Sequence, residues 1–510
     1  MNQPALIPAS WEELIPGDHV VRVVNRAIEQ IDLEPLLKQY KGGGTSSYHP
    51  KMMLKVLIFA YSQRVYSSRQ IAKALRENLN YLWLSGGNQP DFRTINRFRG
   101  QVVKGVIDEI FAAVLELLIE EGYIKLEHYF VDGTKVEANA NRHKVVWAKS
   151  RKKYAERLQQ KVKEILEEVE RVNAAEDEVY GDDDPDEHGG KGEIDAEKLE
   201  KKIQELNERL KQKPEDKQLA KAVKALTKDC LPRQKKYEEQ ARKLADRNSY
   251  SKTDEEATFM RMKEDRGAAN PLPKPAYNVQ MGTEGQFVVG YSLHQRAGDT
   301  SCLIPHLEGL KRLLGGRLPK QIVADAGYGS EENYAYLKEN QLGNYVKYAT
   351  FHREQQKHYK EELIQAKRFL AENFPYDPQT DQFTCPANQP LTYCYTSHEK
   401  TDNGYPIELR YYQASACGDC PLKTQCTRAK GNRRIRVSFR LQQFRQQARE
   451  NLLSEQGKQL RSQRSTEVET VFGDIKHNRH CRRFMLRGLE KVKTEWGLLS
   501  LAHNFQKLAA

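Results

Sequence analysis

Hydrophobic and polar positions repeat with two different periods along this chain, and the points where the period changes divide it. From residue 11 to residue 40 apolar positions recur at helical spacing, with Val20, Val21, Val23, Val24, Ala27 and Ile28 on one stripe. The run ends at Gly42-Gly-Gly44, and His49-Pro50 opens a strongly apolar helix over 52–61. Ser67-Ser68 caps the next helix, where Ile71, Ala72, Ala74 and Leu75 fall at helical spacing. Asp91 caps a short one, Phe92-Arg-Thr-Ile-Asn-Arg-Phe-Arg99. Its stripe of Phe92, Ile95 and Phe98 predicts a buried side, leaving Arg93, Asn96, Arg97 and Arg99 to point outward. A further amphipathic helix is predicted over 102–122.

The period then shortens. Tyr129-Phe-Val-Asp132 reads as a strand, broken by Gly133-Thr134 and followed by a second strand-like piece to Ala140. A carboxylate at a strand's edge beside a glycine is a common way to present a metal ligand, although a lone Asp-Gly is a turn signal more often than a site. Residues 277–281 and 286–293 flank a Gly-Thr-Glu-Gly turn and predict a β-hairpin, followed by a helix over 301–314. Gln321-Ile-Val-Ala-Asp325 repeats the design of the first strand, with a carboxylate at the strand's end and a glycine-rich exit. Ligand sites in open α/β sheets gather at such carboxyl ends. Residues 344–349 predict another strand. Near the end of the chain, 464–476 reads as a helix with Val468, Val471, Phe472 and Ile475 on its buried stripe. Glu469, Gly473, Lys476 and His480 lie on another face, and Arg479, Arg482, Arg483 and Arg487 follow.

Two stretches interrupt this scheme. Residues 144–248 are dominated by Lys and Glu, with sparse apolar positions such as Ile165, Leu166, Val169, Leu199, Ile203 and Leu206. An acidic break over 176–192 separates two halves, predicting two long helices folded into a hairpin that serves as an arm or a spacer. The other stretch holds Cys385, then Cys417-Gly-Asp-Cys420 and Cys426. A C-x2-C pair with two more thiols can supply four thiolates to one tetrahedral zinc. Cys394 is a rival ligand, and unliganded thiols are the alternative. Cys230, Cys302 and Cys481 have no such neighbours and read as packing residues.

Composition adds a partner. Lys+Arg number 82 against 70 Asp+Glu, a net charge of +12, which favours a polyanion. Arg and Asn are the side chains that read guanine and adenine edges in the major groove, so the 92–99 helix predicts a helix-turn-helix-like DNA reader. A helical bundle with a solvated basic face is the plainer reading of it. No apolar run reaches transmembrane length and residues 1–8 lack a signal-peptide layout, so the expectation is a soluble, cytoplasmic protein with no membrane partner.

With these motifs in place, the chain resembles the DDE transposases of bacterial insertion sequences along nearly its whole length. Residues 49–122 are similar to their N-terminal helical DNA-binding domain, with Pro90-Asp-Phe-Arg-Thr-Ile-Asn-Arg-Phe-Arg99 as its typical segment. Asp132 in Val-Asp-Gly-Thr, Asp325 in Ala-Asp-Ala-Gly-Tyr and Glu469 in Val-Glu-Thr-Val-Phe-Gly match the three acidic motifs. The family's last helix often carries an Arg, Glu, Lys signature. Lys476 stands the expected seven residues after Glu469, whereas Arg464 precedes it by five where four is usual. Assigning Glu467 instead would put Asp474 in the lysine's place.

The resemblance implies an α/β chain, α+β overall, with an RNase H-like catalytic core interrupted by insertions. The helical DNA-binding domain would be 1–122, and the core 123–143 with 249–353. The charged helical hairpin would be 144–248, the cysteine-rich insertion 354–445, and the C-terminal helical part carrying Glu469 would be 446–510. It further implies a transposase that binds double-stranded terminal inverted repeats, cuts DNA and joins it to a target. Asp132, Asp325 and Glu469 would hold Mg2+ or Mn2+, with Lys476 assisting; Arg93, Asn96, Arg97, Arg99, Arg464, Arg482 and Arg483 would meet DNA. A homodimer bridging two ends follows from the family. The rival expectations are a domesticated, non-catalytic DNA-binding protein and an RNase H-like nuclease without strand transfer.

Overall fold

A computed structural model describes residues 10–39, 48–180, 194–262, 265, 272–355, 368–401 and 403–510. The chain mixes helix and sheet and divides into two units, one of residues 1–136, 278–485 and 490–510, the other of 137–277 and 486–489. The glycine run at 42–44 and most of the acidic break at 176–192 lie outside the described residues.

In the first unit the apolar run at 129–131 becomes the middle of a sheet. Five of its six strands are β1 (His128–Glu137), β2 (Lys274–Glu284), β3 (Phe287–His294), β4 (Gln321–Ala324) and β5 (Gly343–Val346). Their spatial order is β3-β2-β1-β4-β5. The hairpin β2–β3 is antiparallel, while β1, β4 and β5 run parallel to one another. Near-continuous burial of β1 and β4 fits strands covered on both faces, which explains their unbroken Val, Ile and aromatic content. The register pairs Val131 with Ala324, so Asp132 and Asp325 come next on neighbouring parallel strands, at the carboxyl end of β4.

Tyr129 fixes the packing of β1 against its hairpin. The ring is fully buried, its hydroxyl lies 2.8 Å from His306 Nε2, and Gly282 and Gly290 leave the space it fills. A Cβ on Gly282 would fall 1.8 Å from the ring. The helix Leu489–Ala509 closes the core with Trp496, Leu498, Leu499, Leu501 and Phe505 buried. From it Asn504 donates to Val288 O and accepts from Val288 N, at 2.9 and 2.8 Å. That side-chain amide occupies polar groups an edge strand would otherwise offer to another chain.

The N-terminal helices Val20–Gln30, Pro50–Ser62, Ser68–Glu77, Leu79–Ser85 and Phe92–Arg97 pack around Pro50–Ser62, whose residues 53–62 are all buried. The same unit contains a separate antiparallel sheet of β6 (Tyr376–Asp377), β7 (Gln382–Thr384), β8 (Pro390–Lys400), β9 (Pro406–Ala414) and β10 (Arg434–Val437), ordered β10-β9-β8-β7-β6. Its core is small, built on Phe374, Phe383, Leu391, Tyr412, Ile435 and Val437. Cys230, Cys302 and Cys481 are buried among packing residues.

The second unit departs from the expected two-helix hairpin. Ala148–Tyr180 forms one rod, but the second half is broken into Ala196–Gln212 and a further rod from Lys217 to Leu244 through a π turn at Leu226–Cys230. The break falls at Lys213-Pro214, since proline removes a helical N–H and clashes with the preceding turn. Asp216 then restarts the helix by accepting from the Gln218 and Leu219 amides, both at 2.9 Å. Leu158, Val162, Leu199, Ile203, Leu206, Val223 and Leu226 supply the shared core, so the sparse apolar stripes are buried against one another.

Two glycine substitutions test this packing. Gly282→Ala is expected to destabilise the chain by about 1–3 kcal/mol, because the new methyl overlaps Tyr129. Gly309→Ala, inside the helix Leu303–Leu313 with open space at its Cβ, is expected to stabilise it by about 0.5–1 kcal/mol. Urea unfolding midpoints check both.

Candidate active site

Three separate elements bring acidic groups together. Asp132 is set by β1 and is buried; Asp325 follows β4 and is half-buried, with its Oδ1 accepting from the Gly327 amide at 2.8 Å. Glu469 is exposed on a long helical stretch over 455–478. At their centre lies the buried Arg464 guanidinium. Its Nη2 stands 3.4 Å from Asp132 Oδ1 and 3.9 Å from Asp325 Oδ2, and its Nη1 donates to Glu469 Oε1 at 3.1 Å. Asp132 and Asp325 are therefore no further apart than the sum of their distances to that one nitrogen.

The helix explains how Arg464 arrives there. Ser465–Glu469 is a π turn, with bonds from i to i+5, between the α-helical Glu455–Arg464 and Thr470–Gly473. The wider turn absorbs one extra residue, so side chains five apart share a face where four would serve in a regular helix. Val468, Val471, Phe472 and Ile475 remain buried on the opposite side. Glu467 turns away, its Oε2 accepting from the Gln286 amide at 2.7 Å, and burial raises its pKa. The geometry thus favours Glu469 over Glu467 as the third acid.

Among the described residues no three His, Cys, Asp or Glu side chains are placed to hold a metal ion. The cation amid the trio is the guanidinium. Its Nε is buried without a hydrogen-bond partner. Carboxylate oxygens gathered from three elements are the donors that hard divalent cations take, so the residues present fit such an ion.

Two family models match the chain. One described as "Transposase DDE domain" covers residues 384–509, and one described as "Transposase domain (DUF772)" covers residues 9–101. The two matches support a DDE-type insertion-sequence transposase. No curated protein and no solved structure matches it. The first match includes Arg464, Glu469 and Lys476, whereas Asp132 and Asp325 lie outside both. Transposases of this type act on DNA and in general use divalent metals. No helix among the transposase's described residues is long and apolar enough to cross a membrane.

The transposase places several expected site residues differently. Lys476 is buried, and its Nζ donates to Thr134 Oγ1 at 3.2 Å and to Lys135 O at 3.4 Å. A second π turn, Asp474–Asn478, carries it off the open face of Glu469 and against β1. Arg99 is also buried rather than outward. Its guanidinium donates to Tyr61 Oη, Tyr66 O, Ser68 Oγ and Asn96 Oδ1 at 3.1, 2.7, 3.4 and 3.3 Å. The π turn Phe98–Val102 swings that position inward, so Arg99 ties helices together instead of facing DNA. Arg93, Asn96 and Arg97 stay exposed, with Arg93 and Arg69 both lying over the Phe92 ring. Arg482 and Arg483 are exposed after the last turn, Arg482 lying 2.8 Å from His477 Nδ1.

Residues missed by reading the sequence also border the trio of the transposase. A Cβ on Gly133 would sit 2.5 Å from Asp299 Oδ1, and one on Gly327 would lie 2.9 Å from Asp325 Oδ1 and 3.8 Å from Asp299 Oδ2. Asp299 is therefore a fourth carboxylate, beside Gly133 of β1 and the turn that follows β4. The buried amides of Asn278 and Gln280 donate to its Oδ1 at 2.8 and 2.9 Å, and Tyr328 Oη donates to Gln280 Oε1. Burial, and then the charges of Asp132, Asp299 and Asp325, raise the Tyr328 pKa well above its ordinary value. Lys347 follows β5; burial lowers its pKa first, then Arg464 and Arg461, while Asp325 and Glu469 oppose them. Lys347 was findable, since it follows β5 just as Asp325 follows β4 in the paired register. Asp299 was not, because its loop sequence carries no periodic signal.

Arg99→Ala is expected to cost about 1–3 kcal/mol, since it strands several buried polar partners. Arg97→Ala, at an exposed position, is expected to stay within about 0.5 kcal/mol of the parent. Thermal or urea unfolding of the two variants distinguishes a structural Arg99 from a DNA-facing one.

Proposed function

We propose that this transposase binds the ends of an insertion sequence and catalyses metal-dependent DNA cleavage and strand transfer by in-line phosphoryl displacement. The observation that carries it is the approach of Asp132, Asp325 and Glu469 to a single guanidinium. The strand order β3-β2-β1-β4-β5, with Asp132 within β1 and Asp325 directly after β4 in neighbouring register, supports an RNase H-like core.

Asp132, Asp325 and Glu469 would hold Mg2+ or Mn2+. Bound there, a pair of such ions supplies charge that activates an attacking oxygen and steadies the leaving one. Asp132 and Asp325 are anchored on strands, so their oxygens are presented from a rigid base. Glu469 arrives on the helix rim, where DNA can reach it. Arg464 balances the acids and offers a planar fork suited to a phosphate. Lys476 pins its helix to β1 and so sets the reach of Glu469. Asp299, held by two amides, stands against Gly133 of β1 and Gly327 after β4, and so limits how far the Asp325 loop can move.

Arg93, Asn96 and Arg97 present a short exposed face for reading base edges, and Arg482 and Arg483 provide cations for the DNA backbone. Residues 1–122 would then be the DNA-binding part, with 144–248 and 354–445 as insertions in the core. Two copies would bridge two transposon ends.

Separate Asp132→Ala, Asp325→Ala and Glu469→Ala changes are each expected to cut cleavage by roughly a thousandfold while end binding persists. The assay combines full-length protein, Mg2+ and end-bearing DNA, and scores cut and joined products separately. Cutting without joining would indicate a nuclease, and binding without cutting a non-catalytic DNA-binding protein. Because the guanidinium competes for the same carboxylates, Arg464→Ala is expected to tighten Mn2+ binding in the absence of DNA while lowering cleavage. Calorimetric titration with Mn2+ checks the first half; unchanged affinity would separate Arg464 from the acids.

A further inference from the structure

The small sheet β6–β10 poses a problem that the carboxylate site does not address. About 70 residues, 368–438, rest on one modest cluster of buried side chains, and domains of that size commonly need a metal or disulfide staple. At its end lies a cavity of about 20 Å3 lined by Cys385, Cys417, Cys420 and Cys426. The four thiols come from separate places: Cys385 follows β7, Cys417 and Cys420 follow β9, and Cys426 ends the short helix Lys423–Cys426. Cys394, the remaining thiol of this region, is left exposed on β8 where the register slips, with its Sγ donating to Thr392 O at 3.6 Å.

We propose that Cys385, Cys417, Cys420 and Cys426 bind one structural zinc ion as four thiolates. The backbone already supplies part of what thiolates need. Cys385 Sγ accepts from the Gln389 amide and Cys417 Sγ from the Arg433 amide, each at 3.4 Å. Arg433 and Lys423 line the same cavity and offset the net negative charge of a four-thiolate zinc centre. Among the described residues no three His, Cys, Asp or Glu side chains are placed to hold a metal ion, so binding requires the four sulfurs to draw inward to Zn–S distances near ~2.3 Å. Each thiol gives up its proton to solvent, and no electrons move, because Zn2+ is redox-inert. The zinc would clamp the ends of β7 and β9 to the segment leading into β10, and so brace the sheet that precedes the Arg464 helix.

The test uses full-length protein prepared without chelators or metal-affinity resin. Elemental analysis is expected to give one zinc per chain, and replacement by Co2+ to give the intense thiolate charge-transfer and ligand-field bands of a tetrahedral sulfur site. Cys420→Ser and Cys426→Ser are each expected to weaken zinc retention against a competing chelator by at least tenfold, whereas Cys394→Ser keeps it. Should the serine variants fail to fold, the wild-type zinc content and cobalt spectrum decide alone. Wild-type protein that is folded and free of zinc, with all eight thiols titrating, would overturn the proposal, as would zinc lost on replacing Cys394. DNA cleavage is not the readout, so this result stands apart from the fate of the carboxylate site.

Discussion

Three carboxylates drawn from strands and a helix repel one another, and the structure answers that repulsion with the Arg464 guanidinium. Two unit charges about 4 Å apart interact by about 4 kcal/mol at the effective dielectric of a partly buried site, so the acids cannot gather without a cation. A guanidinium suits the task because its nitrogens lie in a rigid plane: Nη1 faces Glu469 while Nη2 faces Asp132 and Asp325. Both Arg464 and Asp132 are buried, and losing one of them would leave the other's charge exposed to a poor solvent. The same geometry keeps the three acids converged on one guanidinium.

Everything around that contact serves its placement. Parallel register between β1 and β4 sets two aspartates side by side, while Tyr129 wedged against Gly282 and Gly290 holds β1 to its hairpin. The helix that brings Arg464 and Glu469 contains two π turns, features that recur at functional sites because they rotate one side chain relative to its neighbours. The first brings Arg464 beside Glu469; the second turns Lys476 down onto Thr134 and Lys135, anchoring the helix to the strand of Asp132. Gly133 and Gly327 leave room for the Asp299 carboxylate, which two amides hold in place.

The outlying parts follow the rule that a small apolar core needs reinforcement. In the N-terminal helices a buried arginine, Arg99, links Tyr61, Tyr66, Ser68 and Asn96. In the second unit, long helices with narrow apolar stripes bury them against one another, and surface ion pairs such as Lys161–Asp229 contribute little beyond solubility. In the five-stranded sheet the aromatic rings of Tyr376, Phe383, Tyr412 and Phe439 interlock beside Arg410, which is paired with Asp381. Each region thus stabilises itself with a different chemistry.

The sequence alone determined what depends on neighbours along the chain. Apolar periodicity marked the stripe of Val468, Val471, Phe472 and Ile475, the buried runs before Asp132 and Asp325, and the hairpin between them. Local spacing also singled out Cys417 and Cys420. What it could not determine was which way a side chain turns once the helical period changes. Arg99 and Lys476 read as outward cations, and π turns put both inside. The five-residue step from Arg464 to Glu469 looked irregular until the wider turn gave it a face. Asp299 joined the site only because strands far apart in sequence closed around its loop. Periodicity is a property of adjacent residues, whereas burial and charge pairing are settled by contacts across hundreds of positions, and those only the tertiary structure decides.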